Sequence, residues 1–221
     1  MLLAVDTSTA QVGLAVYDGA QVIGEYAWRS SQRHTVELAP AVANILARSG
    51  LNMDNIQALG VALGPGSFTS LRVGLSLVKG LALARHLPLI GISTLDILAA
   101  GQPITRLPLL VAIQAGRGRL AVSWYKGTRK GWQAKEPARV VSVEDLVNEV
   151  MAPSILCGEF TVDERQRLMN NKNVKLTSPA QSVRRPAVLA ELAWMRWQND
   201  DVDNDATLAP IYLHTAEPIA S

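Results

Sequence analysis

The sequence predicts an α/β protein made of two mixed-sheet units, the second smaller than the first. Three observations carry this. The apolar runs "LLAVD", "VGLAVYDG" and "AQVIGEYAW" follow one another with turns at "TSTA" and "DGA", the pattern of a strand meander. From His34 onward, helix-like and strand-like stretches alternate, which places helices on the faces of a sheet. The stretch "AAGQPITRLP" then has the glycine and proline content of a boundary, and strands resume beyond it. The predicted division is 1–100 and 101–221.

Taken in order, the meander is followed by "HTVELAPAVANILARSG", a helix with Gly50 as its stop signal. "IQALGVALG" returns as a strand, "TSLRVGLSLVKGLALARH" forms a second helix, and "LPLIGIS" another strand. After the boundary, "LLVAIQAG", "GRLAVSWYKG", "PARVVSV" and "APSILCG" read as strands, and "EDLVNEVM" and "RPAVLAELAWMRWQND" as helices. The second half resembles a reduced echo of the first, beginning again with two strands around a glycine turn. No sequence repeat accompanies it.

Composition narrows the function classes. The 221 residues are 48% hydrophobic, ample for a core, and a net charge of +2 does not announce a nucleic-acid binder. The single cysteine, Cys157, excludes an internal disulfide and fits a reducing compartment. The apolar opening is broken by Asp6, too short for a signal peptide, and Arg72, Lys79 and Arg85 interrupt the longest apolar stretch well before the ~20 residues a membrane span needs. The expectation is a soluble, cytoplasmic protein with no membrane partner.

The two N-terminal helices show little polar surface. In the first, Glu37, Asn44 and Arg48 fall near one side and most other positions are apolar; in the second, Leu71, Val73, Leu75, Leu77, Val78, Leu81 and Leu83 spread around the circumference. Ser76, Gly80 and Ala84, four apart, form a small-residue ridge on which another helix could lie close. Two readings stand: burial in this chain's own core, or a surface for a partner's helices. The second is favoured, because a chain of this length has few elements left to cover both. The residues expected at that surface are Val42, Ile45 and Leu46 on the first helix and Leu71, Gly74, Leu77, Val78 and Leu81 on the second.

Sites for chemistry are sparse. "AVDTST" puts Asp6 at the end of the first strand with Thr7 and Ser8 in the turn after it, and "ALGPGSFTS" places Gly64, Gly66 and Ser67 between a strand and a helix start. Together they read either as a vestigial phosphate site, since backbone N–H groups at a helix start favour an anion, or as turns that satisfy their own polar groups. The second turn lacks the lysine of a P-loop, and Pro65 removes one N–H. His34, His86 and His214 have no metal-binding spacing, His34 reading as a structural residue and Cys157 as a buried one. Residues 117–139 hold seven basic residues against one acidic, with Trp124, Tyr125 and Trp132 interleaved, which reads as an RNA-contacting hairpin or a solvated basic face. "NDDVDNDAT" opens like a calcium loop but lacks its glycine and glutamate, and reads as an acidic loop.

The blocks "LLAVDTST", "RHTVELAP", "ALGPGSFTSLRVGLSLVKGLALA", "PLIGISTLDILA" and "LAPIYLH" resemble the TsaB (YeaZ) family, which assists synthesis of threonylcarbamoyladenosine in tRNA. The similarity is dense over residues 1–100 and returns at 208–214. It implies an actin-like/Hsp70-like ATPase (RNase H-like) fold with a reduced second domain. It further implies a non-catalytic subunit that binds and activates TsaD through the two N-terminal helices and also self-associates there. TsaE, a P-loop ATPase, joins the complex, and tRNA is reached indirectly. The resemblance implies no cofactor or metal of its own, any ATP or ADP lying at a composite interface. Thr94 and Leu98 fall where the catalytic relative carries its metal-binding histidines, and Gln114 falls where relatives commonly have an aspartate, leaving Asp6 without a partner carboxylate. Ser70 replaces a usual glycine and His214 a usual basic residue. Two alternatives remain: an ATP-binding phosphotransferase or ATPase using Asp6 and the glycine turns, and a tRNA-binding module using the basic span.

Overall fold

The structure is a computed structural model in which residues 1–31 and 33–213 are described; His214 lies outside them. The first unit opens with the predicted meander: β1 (Leu2–Asp6), β2 (Gln11–Tyr17) and β3 (Val22–Arg29), each antiparallel to the one before. Asp18 makes the tight β2–β3 turn, its Oδ1 accepting the N–H groups of Ala20 and Gln21 at 2.8 and 2.7 Å, with Gly19 at a φ of +97°. Helix α1 (His34–Arg48) follows, then β4 (Ala58–Gly64), α2 (Phe68–Arg85), β5 (Leu89–Ser93) and α3 (Thr94–Ala100). Both β4 and β5 join in parallel, giving the strand order β3-β2-β1-β4-β5.

Gly50 stops α1 as expected. Its φ is +68°, its N–H donates to the Ala47 carbonyl at 3.1 Å, and that of Leu51 donates to Leu46 at 2.9 Å, the 5→2 and 6→1 bonds of a Schellman end.

Beyond Ile97 the second unit contains β6 (Leu109–Gln114), β7 (Leu120–Thr128), β8 (Gly131–Ala134), β9 (Arg139–Val141), α4 (Val143–Glu149), β10 (Ser154–Gly158), α5 (Val162–Met169) and β11 (Val174–Leu176). Its strand order, read from the meander side, is β8-β7-β6-β10-β11, with β9 on β7. The meander is again antiparallel and the two later strands again parallel. The echo is thus one of topology. It is reduced because the covering helices shrink from 15 and 18 residues in α1 and α2 to 7 and 8 in α4 and α5. Sequence reading misses α3, β8, α5 and β11, all 8 residues or fewer and too short for a clear period.

The last helix, α6 (Pro186–Gln198), corrects the predicted division at residue 100. It returns to the first unit, which comprises Met1–Ile97 and Arg184–Ile211. Leu189, Ala190 and Ala193 pack on Leu2, Ala4, Ala15, Ala58 and Ile90, while α1 and α2 cover the opposite face at Leu3, Val5, Leu14, Leu59 and Val61. With both faces covered, β1 is apolar at every position before Asp6. Close packing fixes the approach of α6: a Cβ on Gly60 would stand 2.9 Å from that of Ala193.

Candidate functional site

The polar centre of the first unit lies at the end of β1. Asp6, Thr7, Ser8 and Thr9 are all buried. Strand β1 ends here because Asp6 turns its carboxylate back onto the chain, Oδ1 accepting the Ser8 N–H at 2.8 Å. The other oxygen receives Arg184 Nε at 2.8 Å, and Arg184 Nη2 donates to Thr9 Oγ1 at 3.0 Å and to the Gln11 carbonyl at 3.1 Å. The Asp6 and Arg184 side chains are 3% and 1% exposed. A buried pair persists only when its remaining hydrogen bonds are met. Among the described residues, no buried side-chain nitrogen or oxygen lacks a partner.

The glycine turn folds onto this centre. The Ser67 N–H donates to the Ser8 carbonyl at 2.7 Å, and a Cβ on Gly66 would sit 2.2 Å from that oxygen, so the close approach requires glycine. Gly64 holds a φ of +100°. Ser67 caps α2, accepting from the Ser70 N–H at 3.5 Å and from the Ser70 hydroxyl at 3.0 Å. Thr7 Oγ1 donates to the Ser70 carbonyl at 2.7 Å, Ser8 Oγ meets Thr94 Oγ1 at 2.7 Å, and His34 Nε2 lies 3.2 Å from the Thr9 carbonyl oxygen. The structure therefore brings Asp6, Thr7, Ser8, Gly64, Gly66 and Ser67 together as one hydrogen-bonded knot around the start of α2. Arg184 supplies the countercharge to Asp6. It is the residue that sequence reading missed: it stands 178 positions away. Its only local sign is an arginine pair, "RRP", directly before a helix.

Gln114, at the end of β6, has a different setting. Its amide donates to the Glu159 carbonyl at 2.9 Å and to Glu164 Oε2 at 2.8 Å, the carboxylate that also caps α5 through the Thr161 N–H at 2.7 Å. Leu98 is fully buried. Among the described residues no group of three or more His, Cys, Asp or Glu side chains could hold a metal ion. Cys157 is buried, and desolvation pushes its thiol above the ordinary value, away from nucleophilic character.

In the basic span the aromatic side chains are buried or hydrogen-bonded through their indole N–H groups. Tyr125 is 2% exposed, Trp124 Nε1 donates to Glu149 Oε1 at 2.7 Å, and Trp132 Nε1 donates to the Gln102 carbonyl at 3.0 Å. The acidic loop after α6 is a structural clamp: Asp201 and Asp203 both accept from Arg196, and Asp203 Oδ2 also accepts the Gly91 N–H at 2.7 Å. The two carboxylates hold the Arg196 guanidinium above its ordinary pKa, and the guanidinium holds Asp201 below its own.

The outer surface of α1 and α2 differs in its residues from the expectation. Val42, Ile45, Leu46, Leu71, Gly74 and Val78 face inward, the five larger side chains being 6% exposed or less and Gly74 packing against Thr7. The reason is coverage: one face of a five-stranded sheet needs both helices' broad apolar sides. Leu77 and Leu81 stand half-buried at the margin. The exposed residues include Val36, Ala39, Ala43 and Ala47 on α1 and Phe68, Arg72, Ser76, Gly80, Leu83 and Ala84 on α2. Leu83 is 70% and Val36 64% exposed. The small-residue ridge of α2 thus lies open, and nothing stands within 4 Å of a Cβ built on Gly80.

Three kinds of comparison bear on this arrangement. The family model for TsaD, tRNA N6-adenosine threonylcarbamoyltransferase, matches residues 26–178. The chain is 36% identical over 164 residues to the tRNA threonylcarbamoyladenosine biosynthesis protein TsaB of Escherichia coli, covering 72% of this chain and 68% of that one. It is 29% identical to the protein of the same name from Bacillus subtilis, covering 98% and 95%. A crystal structure described as an uncharacterized protein with similarity to peptidase YEAZ from Pseudomonas aeruginosa superposes with a TM-score of 0.80 at 24% identity, over 96% of this chain and 99% of that one. The ROK hexokinase of Thermus thermophilus superposes with a TM-score of 0.50 at 11% identity, over 89% of this chain and 99% of that one. The fold is the actin-like ATPase fold.

Proposed function

This chain belongs to the TsaB family, and on that premise we propose that it acts in threonylcarbamoyladenosine synthesis on tRNA as a non-catalytic subunit that docks on and activates a TsaD-like transferase. The observation that carries the reading is the open ridge of Ser76, Gly80 and Ala84 beside the exposed Leu83. Small residues four apart let a second helix approach closely, and the aliphatic margin of Leu77 and Leu81 supplies apolar area for burial. The match of residues 26–178 to the TsaD model supports a partner built on the same plan, so that related helix pairs pack face to face. A second copy of this chain offers the same ridge and competes for it.

The polar knot supports a structural role for the β1 turn. With Asp6 neutralised by Arg184, the turn holds the start of α2 in place, and the effect on the partner is a coupling through packing. The test is omission from a reconstituted reaction containing the cognate TsaD, a TsaE-like ATPase, the threonylcarbamoyl donor and tRNA. Product is expected only when this chain is present. Equal product without it overturns the reading.

A further inference from the structure

A pocket in the second unit draws on the basic span and on the end of α4. It opens between β7, the chain just after β8 and the C-terminal end of α4, with a volume of about 270 Å³. Trp124 forms one wall, Pro108, Val150 and Met151 supply apolar lining, and Lys135, Glu136 and Glu149 bring charge. An apolar cavity of roughly 150 Å³ admits benzene, so this one has room for a larger flat ring but not for a drug-sized molecule.

The charges are not equivalent. Glu149 accepts from the Trp124 indole and pairs with Arg139, which also lies 3.7 Å from Glu136. One guanidinium thus serves two carboxylates, and Trp124 lines the pocket with its indole N–H held by Glu149. Lys135 has no carboxylate partner among the described residues, and neither has Lys126. Lys126 follows Trp124 two positions along β7 and so projects from the same face of the sheet. Both lysines are exposed, as is Met151 at 83%. Arg139, Lys135 and Lys126 together outnumber Glu136 and Glu149 by one positive charge.

We propose that this pocket binds a nucleotide unit, its base against Trp124 and its phosphate at Lys135 and Lys126. An aromatic wall supplies stacking to any base, and two unpaired ammonium groups supply the phosphate contact. The same chemistry comes from two sources, a free mononucleotide or an unpaired nucleotide in an RNA strand. The site uses nothing of the α1–α2 ridge and stands or falls separately from the pairing proposed above.

The experiment follows the indole N–H resonance of Trp124, identified by its loss in Trp124→Phe, during titration of the full chain. The probes are adenosine 5′-monophosphate, adenosine, and a single-stranded adenylate tetranucleotide. A saturable shift with the monophosphate is expected, at least tenfold weaker with adenosine and in Lys135→Glu, whose other tryptophan resonances report an intact fold. A tetranucleotide binding tenfold or more tightly than the monophosphate identifies an RNA strand as the source, whereas equal affinity identifies the free nucleotide. No saturable shift at millimolar nucleotide, or a shift unchanged in Lys135→Glu, overturns the proposal. Pairing with the TsaD-like subunit, measured on the same Lys135→Glu sample, tells that failure from a failure of the ridge.

Discussion

Replacing Gly80 with arginine separates folding from pairing. Gly80 sits inside the 18-residue α2 with open space where a side chain would begin. Inside an exposed helix glycine is about 0.8 kcal/mol less favourable than a good helix former such as arginine. The isolated chain should therefore gain about that much, a rise of roughly 2–3 °C in melting temperature for a protein of this size. Pairing should move the other way. Helices meeting over small residues approach to about 8 Å, and an arginine in the contact forces them toward 10 Å or into a strained rotamer. Overpacking of this kind costs roughly 1–3 kcal/mol, which weakens association about 5- to 150-fold. Calorimetry of the chain alone gives the first quantity, and sedimentation velocity with the TsaD-like subunit gives the second. A variant that is more stable yet pairs as tightly as the parent refutes the ridge as the contact. A variant that is less stable refutes the account of Gly80 as an unencumbered helix position.

Two further outcomes follow from the charged groups. Asp6→Asn leaves Arg184 buried without its counterion and should destabilise the chain by roughly 3–5 kcal/mol, read as a fall in urea midpoint. Adding Arg184→Met should restore part of that loss, and strict additivity of the two substitutions would show that the pair is not coupled. Arg196 depresses the pKa of Asp201 in the folded chain, so the stabilisation is present above the unfolded value near 3.9 and is lost as pH falls through the lower folded value. The melting temperatures of the parent and Asp201→Asn should thus differ at neutral pH and converge in acid below about pH 4; a constant difference across that range would contradict the clamp.

The sequence by itself determined the class of the fold, the opening meander, both long helices and the glycine turn. Each of these is written in local terms: a short continuous apolar run in "LLAVD", a broad apolar surface in "TSLRVGLSLVKGLALARH", a stop at Gly50, a sharp turn at Gly64 and Gly66. The family likewise rests on contiguous blocks of residues. What only the tertiary structure decided involves positions far apart in the chain. Beyond the arginine pair in "RRP", nothing in the sequence links Arg184 to Asp6, because a buried countercharge is chosen by proximity in space and any arginine in the chain satisfies it on paper. The return of α6 to the first sheet is equally silent: its small residues at Ala190 and Ala193 acquire meaning only against Gly60 and the small side chains of β1 and β4. The faces of α1 and α2 were legible as apolar but not as inner or outer. An amphipathic pattern ranks residues by hydrophobicity, and it was the sheet beneath that took Val42, Ile45, Leu46, Leu71 and Val78 and left Ser76, Gly80 and Ala84 facing outward.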